Sequence, residues 1–141
     1  MCLMNIKPKE KMNAQTLLDT KEIAYETAVF KAQILAQYGE ALEEFSIFYE
    51  GLFDAVLLDV LFISEKYRKH GLGSEILRKT ITFADDLGID LVLEPDDCYG
   101  TPMRILNAFY AKHGGLKCKI TYSVCGDKYT KKMFKWTAKT A

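Results

Sequence analysis

A chain of 141 residues, 49% hydrophobic and 27% charged with 9 glycines and 3 prolines, is neither disordered nor fibrous. Its length suits one compact domain over residues 1–141, burying roughly 68–70% of the unfolded surface. Net charge is zero, which removes bulk attraction to nucleic acid or an anionic membrane.

No apolar run approaches bilayer length, and the lysine-bearing residues 1–11 lack the apolar core of an export signal, so a soluble cytoplasmic domain is expected. The four cysteines, Cys2, Cys98, Cys118 and Cys125, contain no C-x-x-C pair that would open a zinc site. A chain with this much core does not need disulfides, so reduced thiols and no metal are expected. Charge is unevenly spread. Residues 19–59 hold nine acids against Lys21 and Lys31, whereas residues 101–141 hold nine bases against Asp127. Either the exposed faces merely differ in sign, or an acidic rim awaits a cationic substrate and a basic rim an anionic one.

In chain order, Thr20 caps a helix over residues 20–37, with Tyr25, Ala28, Val29, Ala32, Leu35 and Ala36 at helical spacing. A short preceding turn around residues 15–18 is open to reading as a separate helix, and Gly39 supplies a left-handed stop. Residues 45–49 and 55–63 then read as strands, the second apolar on both faces and therefore interior. Strict alternation sets Leu58, Val60 and Phe62 on one face and Leu57, Asp59, Leu61 and Ile63 on the other. A carboxylate buried in such a strand needs a partner or gives up its charge, which singles out Asp59.

A helix over residues 71–87 follows, its inner stripe Ile76, Leu77, Ile81, Ala84 and Leu87, ended by Gly88. Residues 89–94 form a strand stopped by Pro95. Thr101 and Pro102 start a third helix, the hydroxyl capping and the proline first in the helix, which ends at Gly114-Gly115. Strands over 116–125 and 129–137 close an antiparallel hairpin about Gly126-Asp127. Helix, two strands, helix, strand, helix and hairpin make a mixed α/β layered sheet.

The informative junction is Tyr67-Arg68-Lys69-His70-Gly71-Leu72-Gly73-Ser74, between strand and helix. Gly71 and Gly73 let the backbone approach a bulky anion, and the unpaired N–H groups of the helix's first turn face it, with Arg68 and Lys69 adding charge. A pyrophosphate suits this loop, and so does a tight structural turn. A Walker loop is excluded because no Gly-Lys pair occurs, and a dinucleotide fingerprint because its third glycine would fall at Ile76.

Arg68-x-x-Gly71-x-Gly73, preceded by Leu61-Phe62-Ile63-Ser64-Glu65-Lys66-Tyr67 and followed downstream by Phe109-Tyr110-Ala111-Lys112-His113-Gly114-Gly115, resembles the GNAT superfamily of N-acetyltransferases. The resemblance covers roughly residues 45–136. It implies a GNAT-like mixed, mostly antiparallel central sheet with a splayed strand pair and helices on both faces. It also implies acetyl-CoA as cosubstrate, with no metal. Backbone groups of Leu61, Phe62 and Ile63 would hold the pantetheine arm and thioester, and Arg68, Lys69, His70, Gly71, Leu72, Gly73 and Ser74 the pyrophosphate. Tyr110 matches the general acid that reprotonates the sulfur, where helix periodicity alone reads a core tyrosine. Asp59 matches a carboxylate base of polyamine-acetylating members; it is equally read as a carboxylate satisfied by neighbours, and the base could lie instead in a water relay over Glu43, Glu44 or Glu50. The family's usual asparagine falls at Met103, and Asn107, one turn on, is its substitute at the pantetheine or a surface filler. Thr101 is another substitute. Neither histidine is given a catalytic role: His70 helps the anion within the loop, and His113 suits a helix C-terminus.

The activity implied is direct attack of a primary amine on acetyl-CoA, the acceptor a cationic small amine or a lysine-bearing peptide, with a homodimer left open. Two rivals stand beside it: a non-catalytic CoA-binding module, and acetylation of aminoacyl-tRNA held by the basic C-terminal third.

Overall fold

The computed structural model describes the backbone of residues 9–139 and the side chains of residues 20–139. Helix α1 (Lys9–Tyr38) runs unbroken through the expected separate turn and through Thr20, which is interior rather than a cap. Nothing between Pro8 and Gly39 interrupts it, since the segment contains neither glycine nor proline. Its inward face also differs from expectation. Ile23, Thr27, Phe30, Ile34 and Tyr38 meet the core at spacings of three and four, while Tyr25 is 67% and Leu35 39% exposed. The larger side chains win the core position, and the alanine-rich stripe that matched the same period is left outside. Gly39, at φ 51°, opens a 3₁₀ turn (Gly39–Ala41), as its left-handed stop requires.

Strand β1 (Leu42–Glu50) is longer than read from sequence, and β2 (Ala55–Ile63) has the expected bounds. After the 3₁₀ turn Glu65–Tyr67 comes α2 (Leu72–Leu87), then β3 (Leu91–Leu93), α3 (Met103–Lys112), β4 (Leu116–Val124) and β5 (Asp127–Trp136). The sheet order is β1-β2-β3-β5-β4, antiparallel throughout except the parallel β2–β3 pair. This is the mixed, mostly antiparallel sheet that was expected.

Two local readings shift by a residue. The carbonyl of Pro102 (ψ 144°) begins α3, accepting from the N–H groups of Ile105 and Leu106, and Thr101 makes no cap. The hairpin turn is Cys125-Gly126, both at positive φ (51° and 86°), because Val124 already pairs with Asp127. Those two dihedrals are what a two-residue turn matched to strand twist demands. Cys98, Cys118 and Cys125 are free thiols; Cys2 lies outside the described residues. No described helix is long and apolar enough to cross a membrane.

The core divides by sheet face. Val56, Leu58, Leu91, Leu93, Phe134 and Trp136 join Ile76, Leu77 and Ala84 of α2 and Ile34 of α1 in the larger cluster, with Phe109 and Tyr110 of α3 packed against it. Ala55, Val92 and Met133, flanked by Phe53, Leu57 and Ile120, form a small cluster on the opposite face. The described helices therefore share one face, where helices on both had been expected. On the second face Phe53 meets Tyr122, ring centroids 5.1 Å apart.

Gly115 marks the tightest point. A Cβ there would lie 2.7 Å from Cζ2 and 3.0 Å from Cη2 of Trp136, and 3.1 Å from Cδ1 of Phe134. Gly115→Ala is expected to lower stability by about 1–3 kcal/mol through overpacking, read as a lower midpoint in urea with an unchanged slope.

Candidate active site

β2 and β3 pair at only two positions, Val56↔Leu91 and Leu57↔Val92. Beyond them β2 continues to Ile63, held by β1 through Phe45↔Leu61, Glu44↔Phe62 and Leu42↔Ile63, while β3 stops at Leu93 before Pro95. The outer half of β2 therefore has one edge without a strand partner, and its backbone groups there need another partner. This is the expected splayed pair. A cavity of about 70 Å³ lies in the opening, lined by β2 from Leu58 to Phe62 and, opposite it, by Tyr99, Leu106 and Tyr110.

Asp59 sits at a β-bulge. Ile47 pairs with Leu58 and Ser46 with Val60, so Asp59 has no opposite residue. The bulge resets the alternation: Leu58 before it and Leu61 and Ile63 after it all meet the helical core. Simple period-two counting put Leu58 on the face opposite Leu61 and Ile63, and the bulge overturns that reading. Asp59 is also exposed rather than buried, so the buried-carboxylate argument falls. What remains is position: Asp59 lines the same cavity as Tyr110.

Tyr110 is half-buried on α3, its ring 5.3 Å from Phe109, 5.6 Å from Phe134 and 6.4 Å from Trp136. Burial alone raises the phenol above its usual range, so it stays protonated across neutral and mildly alkaline pH. Phe62 turns its ring toward Tyr99, 4.5 Å away, and carries the Arg68 guanidinium at 4.9 Å. Arg68 Nε donates to the Ile63 carbonyl at 2.9 Å, folding this side chain back over the end of β2. Ser64 fastens the same end, its N–H donating to Ala41 and its hydroxyl to the Glu40 carbonyl.

In the loop itself Lys69 and Gly71 lie at positive φ, 68° and 79°. Gly71 adopts this freely, whereas Lys69 carries a conformational cost that the surrounding turn must offset. The Gly71 carbonyl accepts from Glu75, starting α2 and leaving the N–H groups of Leu72, Gly73 and Ser74 without helical acceptors. Lys69, His70 and Gly71 are exposed around them. A Cβ on Gly73 would stand 3.8 Å from Cζ of Phe109 and 4.0 Å from Ile63, in ordinary van der Waals contact with both. On α3, Oδ1 of Asn107 is buried with no hydrogen-bond partner, an acceptor that awaits a donor.

Ser74 and His113 form a pair that sequence did not suggest, Oγ to Nε2 at 2.9 Å, joining the start of α2 to the end of α3. Burial lowers the His113 pKa from its ordinary 6.5, with Arg78 and Lys112 adding repulsion. The folded state thus binds fewer protons than the unfolded one, and this contribution is present above about pH 6.5 and lost as pH falls below it. Melting temperature is expected to decline between about pH 7 and 5.5, and His113→Gln should flatten that decline; an identical slope in the variant would remove the assignment.

Glu94, Asp96 and Tyr99, all missed as site residues, come from the connection between β3 and α3. Their signal was the acid run around Pro95, but its place beside Asp59 depends on strand pairing. Among the described residues no group of three His, Cys, Asp or Glu side chains is placed to hold a metal ion.

No protein-family model matches the chain, and no curated protein matches its sequence. Among solved structures it is similar to the crystal structure of Arabidopsis thaliana NAA60 in complex with a bisubstrate analogue, at 15% identity and a TM-score of 0.43. The similarity covers 67% of this chain and 55% of that one, so the chain spans little more than half the other's length.

Proposed function

We propose that the protein transfers an acetyl group from acetyl-CoA to a primary amine. The observation that carries this reading is a single cavity, in the opening between β2 and β3, that contains both a half-buried phenol and a carboxylate at a bulge. The residues around it fit the cosubstrate. The open first turn of α2, from Gly71 to Ser74, would hold the pyrophosphate through backbone N–H groups, with Lys69 and His70 beside it. The orphaned Oδ1 of Asn107 would accept from an amide N–H of the pantetheine arm, and the unpaired edge at Leu61, Phe62 and Ile63 would supply further backbone partners. Arg68 would act on that edge through its bond to Ile63.

Acetyl-CoA supplies an acyl group activated as a thioester. Asp59 takes the proton that the attacking nitrogen must lose, and Tyr110 gives its phenolic proton to the departing sulfur. As the C–N bond forms and the C–S bond breaks, the fixed backbone dipoles along β2 meet the charge that develops on the carbonyl oxygen. The larger cluster on one side of the cavity keeps water from the bond being broken.

Calorimetric titration with acetyl-CoA is expected to give saturable one-to-one binding with a Kd of about 1 mM or tighter. A thiol-release assay with small diamines and lysine peptides should then show turnover with at least one of them. No heat of binding at millimolar acetyl-CoA overturns the proposal, and binding with no transfer to any amine leaves the non-catalytic module instead.

A further inference from the structure

The sheet ends in β4, which pairs with β5 on one side only, so among the described residues its outer edge carries no strand. The edge is nine residues long, Leu116–Val124, and none of them is buried. Every second residue of such an edge turns an N–H and a carbonyl outward, and these groups add a further strand where one of fitting chemistry arrives.

The side chains decide which strand fits. Lys117 and Lys119 stand two residues apart on one face of β4, the face on which Phe134 joins the larger cluster. Lys119 lies directly opposite Lys132 of β5, and like charges so placed repel. The lysines of β5 on the other face are compensated, Lys131 at 3.2 Å from Glu94 and Lys135 at 3.3 Å from Asp90. Among the described residues Lys117, Lys119 and Lys132 have no such carboxylate, and Lys117 Nζ rests 5.9 Å from the Phe134 ring. A recess of about 250 Å³ is lined by these three lysines and Cys118. Uncompensated positive charge therefore borders an unpaired backbone edge.

We infer that β4 is a docking edge for an extended acidic peptide, with Asp or Glu at alternate positions and apolar residues between them. The peptide adds antiparallel, the more stable ladder. Its acids fall beside Lys117 and Lys119 and relieve the opposition of Lys119 and Lys132. Its apolar residues fall on the other face, beside Cys118 and Ile120, where Ile120 packs on the small cluster. A second copy of β4 is a poor occupant, because it sets the same lysines against one another. Nucleic acid would meet the charge but offers no ladder to the exposed backbone groups. The inference stands apart from the acetyl-transfer reading.

The probe is a fluorescein-labelled peptide, Thr-Val-Glu-Val-Glu-Val-Thr, titrated with the full chain and followed by anisotropy. Saturable binding that weakens with added salt is expected, and lysine in place of both glutamates should weaken it by about tenfold or more. N-methylation of the valines and N-methylation of the glutamates should differ by about tenfold or more, since only one set of N–H groups points at β4. Lys117→Glu combined with Lys119→Glu should reverse the preference in favour of the lysine peptide, a swap that loss of folding does not produce. Equal affinity for the two charge versions, or equal tolerance of the two methylations, overturns the inference. So does equal competition by a thymidine oligonucleotide, which would mark a general anion surface. An oligomer in sedimentation that binds no peptide would give the edge to another copy and overturn it too.

Discussion

Tyr110→Phe is expected to reduce kcat by about 10²- to 10⁴-fold, the usual worth of a positioned general acid, while acetyl-CoA affinity and melting temperature stay close to the parent. The fold has little reason to notice the change. The contacts of its side chain with Phe109, Phe134 and Trp136 are made by the ring, and phenylalanine keeps all three. The lost hydroxyl matters to a sulfur anion, because the cavity's other phenol, Tyr99, already donates to Glu44 Oε1 at 3.1 Å. Because burial holds the phenol above its ordinary value of 10.0, the acid is fully protonated at neutral pH, and its own ionisation should not curtail kcat below about pH 10. Stopped-flow or steady-state thiol release with saturating acetyl-CoA measures the effect. A variant with kcat within severalfold of the parent would place Tyr110 in the core and not in the chemistry.

Much of the framework was legible because it depends on local pattern. β2 was bounded at residues 55–63 by its apolar run, and α2 by its stripe from Ile76 to Leu87 and by Gly88, which ends the helix at φ 73°. Tyr110 stands out by its motif and Asp59 by its place in an apolar strand, and the two line one cavity. Failures came where a decision was not local. α1 offers two stripes of helical period, and only packing against Phe45 and Phe83 selects the one containing Phe30. The bulge at Asp59 is a property of two strands in register, so counting along one of them reversed the faces of Leu58 and Leu61. Lys131 reaches Glu94 because β5 lies next to β3, across 37 residues of chain. Composition had pointed to the acids of residues 19–59 for a cationic partner; the acids that line the cavity beside Tyr110 are Asp59, Glu94 and Asp96, and only the first belongs to that stretch.

The largest structural effect is expected at Trp136, which ties α3 to the sheet behind the phenol. It is 8% exposed, its Nε1–H donates to the His113 carbonyl at 2.9 Å, and its ring meets Tyr110 and Phe134. Gly114 and Gly115 lie against the same indole, so the chain leaving α3 is shaped around it. Trp136→Ala removes that support and leaves the His113 carbonyl without its donor, which should cost about 3–5 kcal/mol. For a chain of this size that corresponds to a fall in melting temperature of roughly 10–20 °C. Trp136→Phe restores most of the ring contact but not the hydrogen bond, and is expected to cost about 1–2 kcal/mol. The two variants also differ in chemistry: with its wall removed, Tyr110 loses the fixed orientation from which it gives up a proton, so Trp136→Ala should lose kcat at a temperature where it is still folded. Urea midpoints for both proteins, with thiol release on the folded fraction, test the argument. Equal stabilities would show that the indole is dispensable to the fold, and unchanged kcat in folded Trp136→Ala would show that it does not position the phenol.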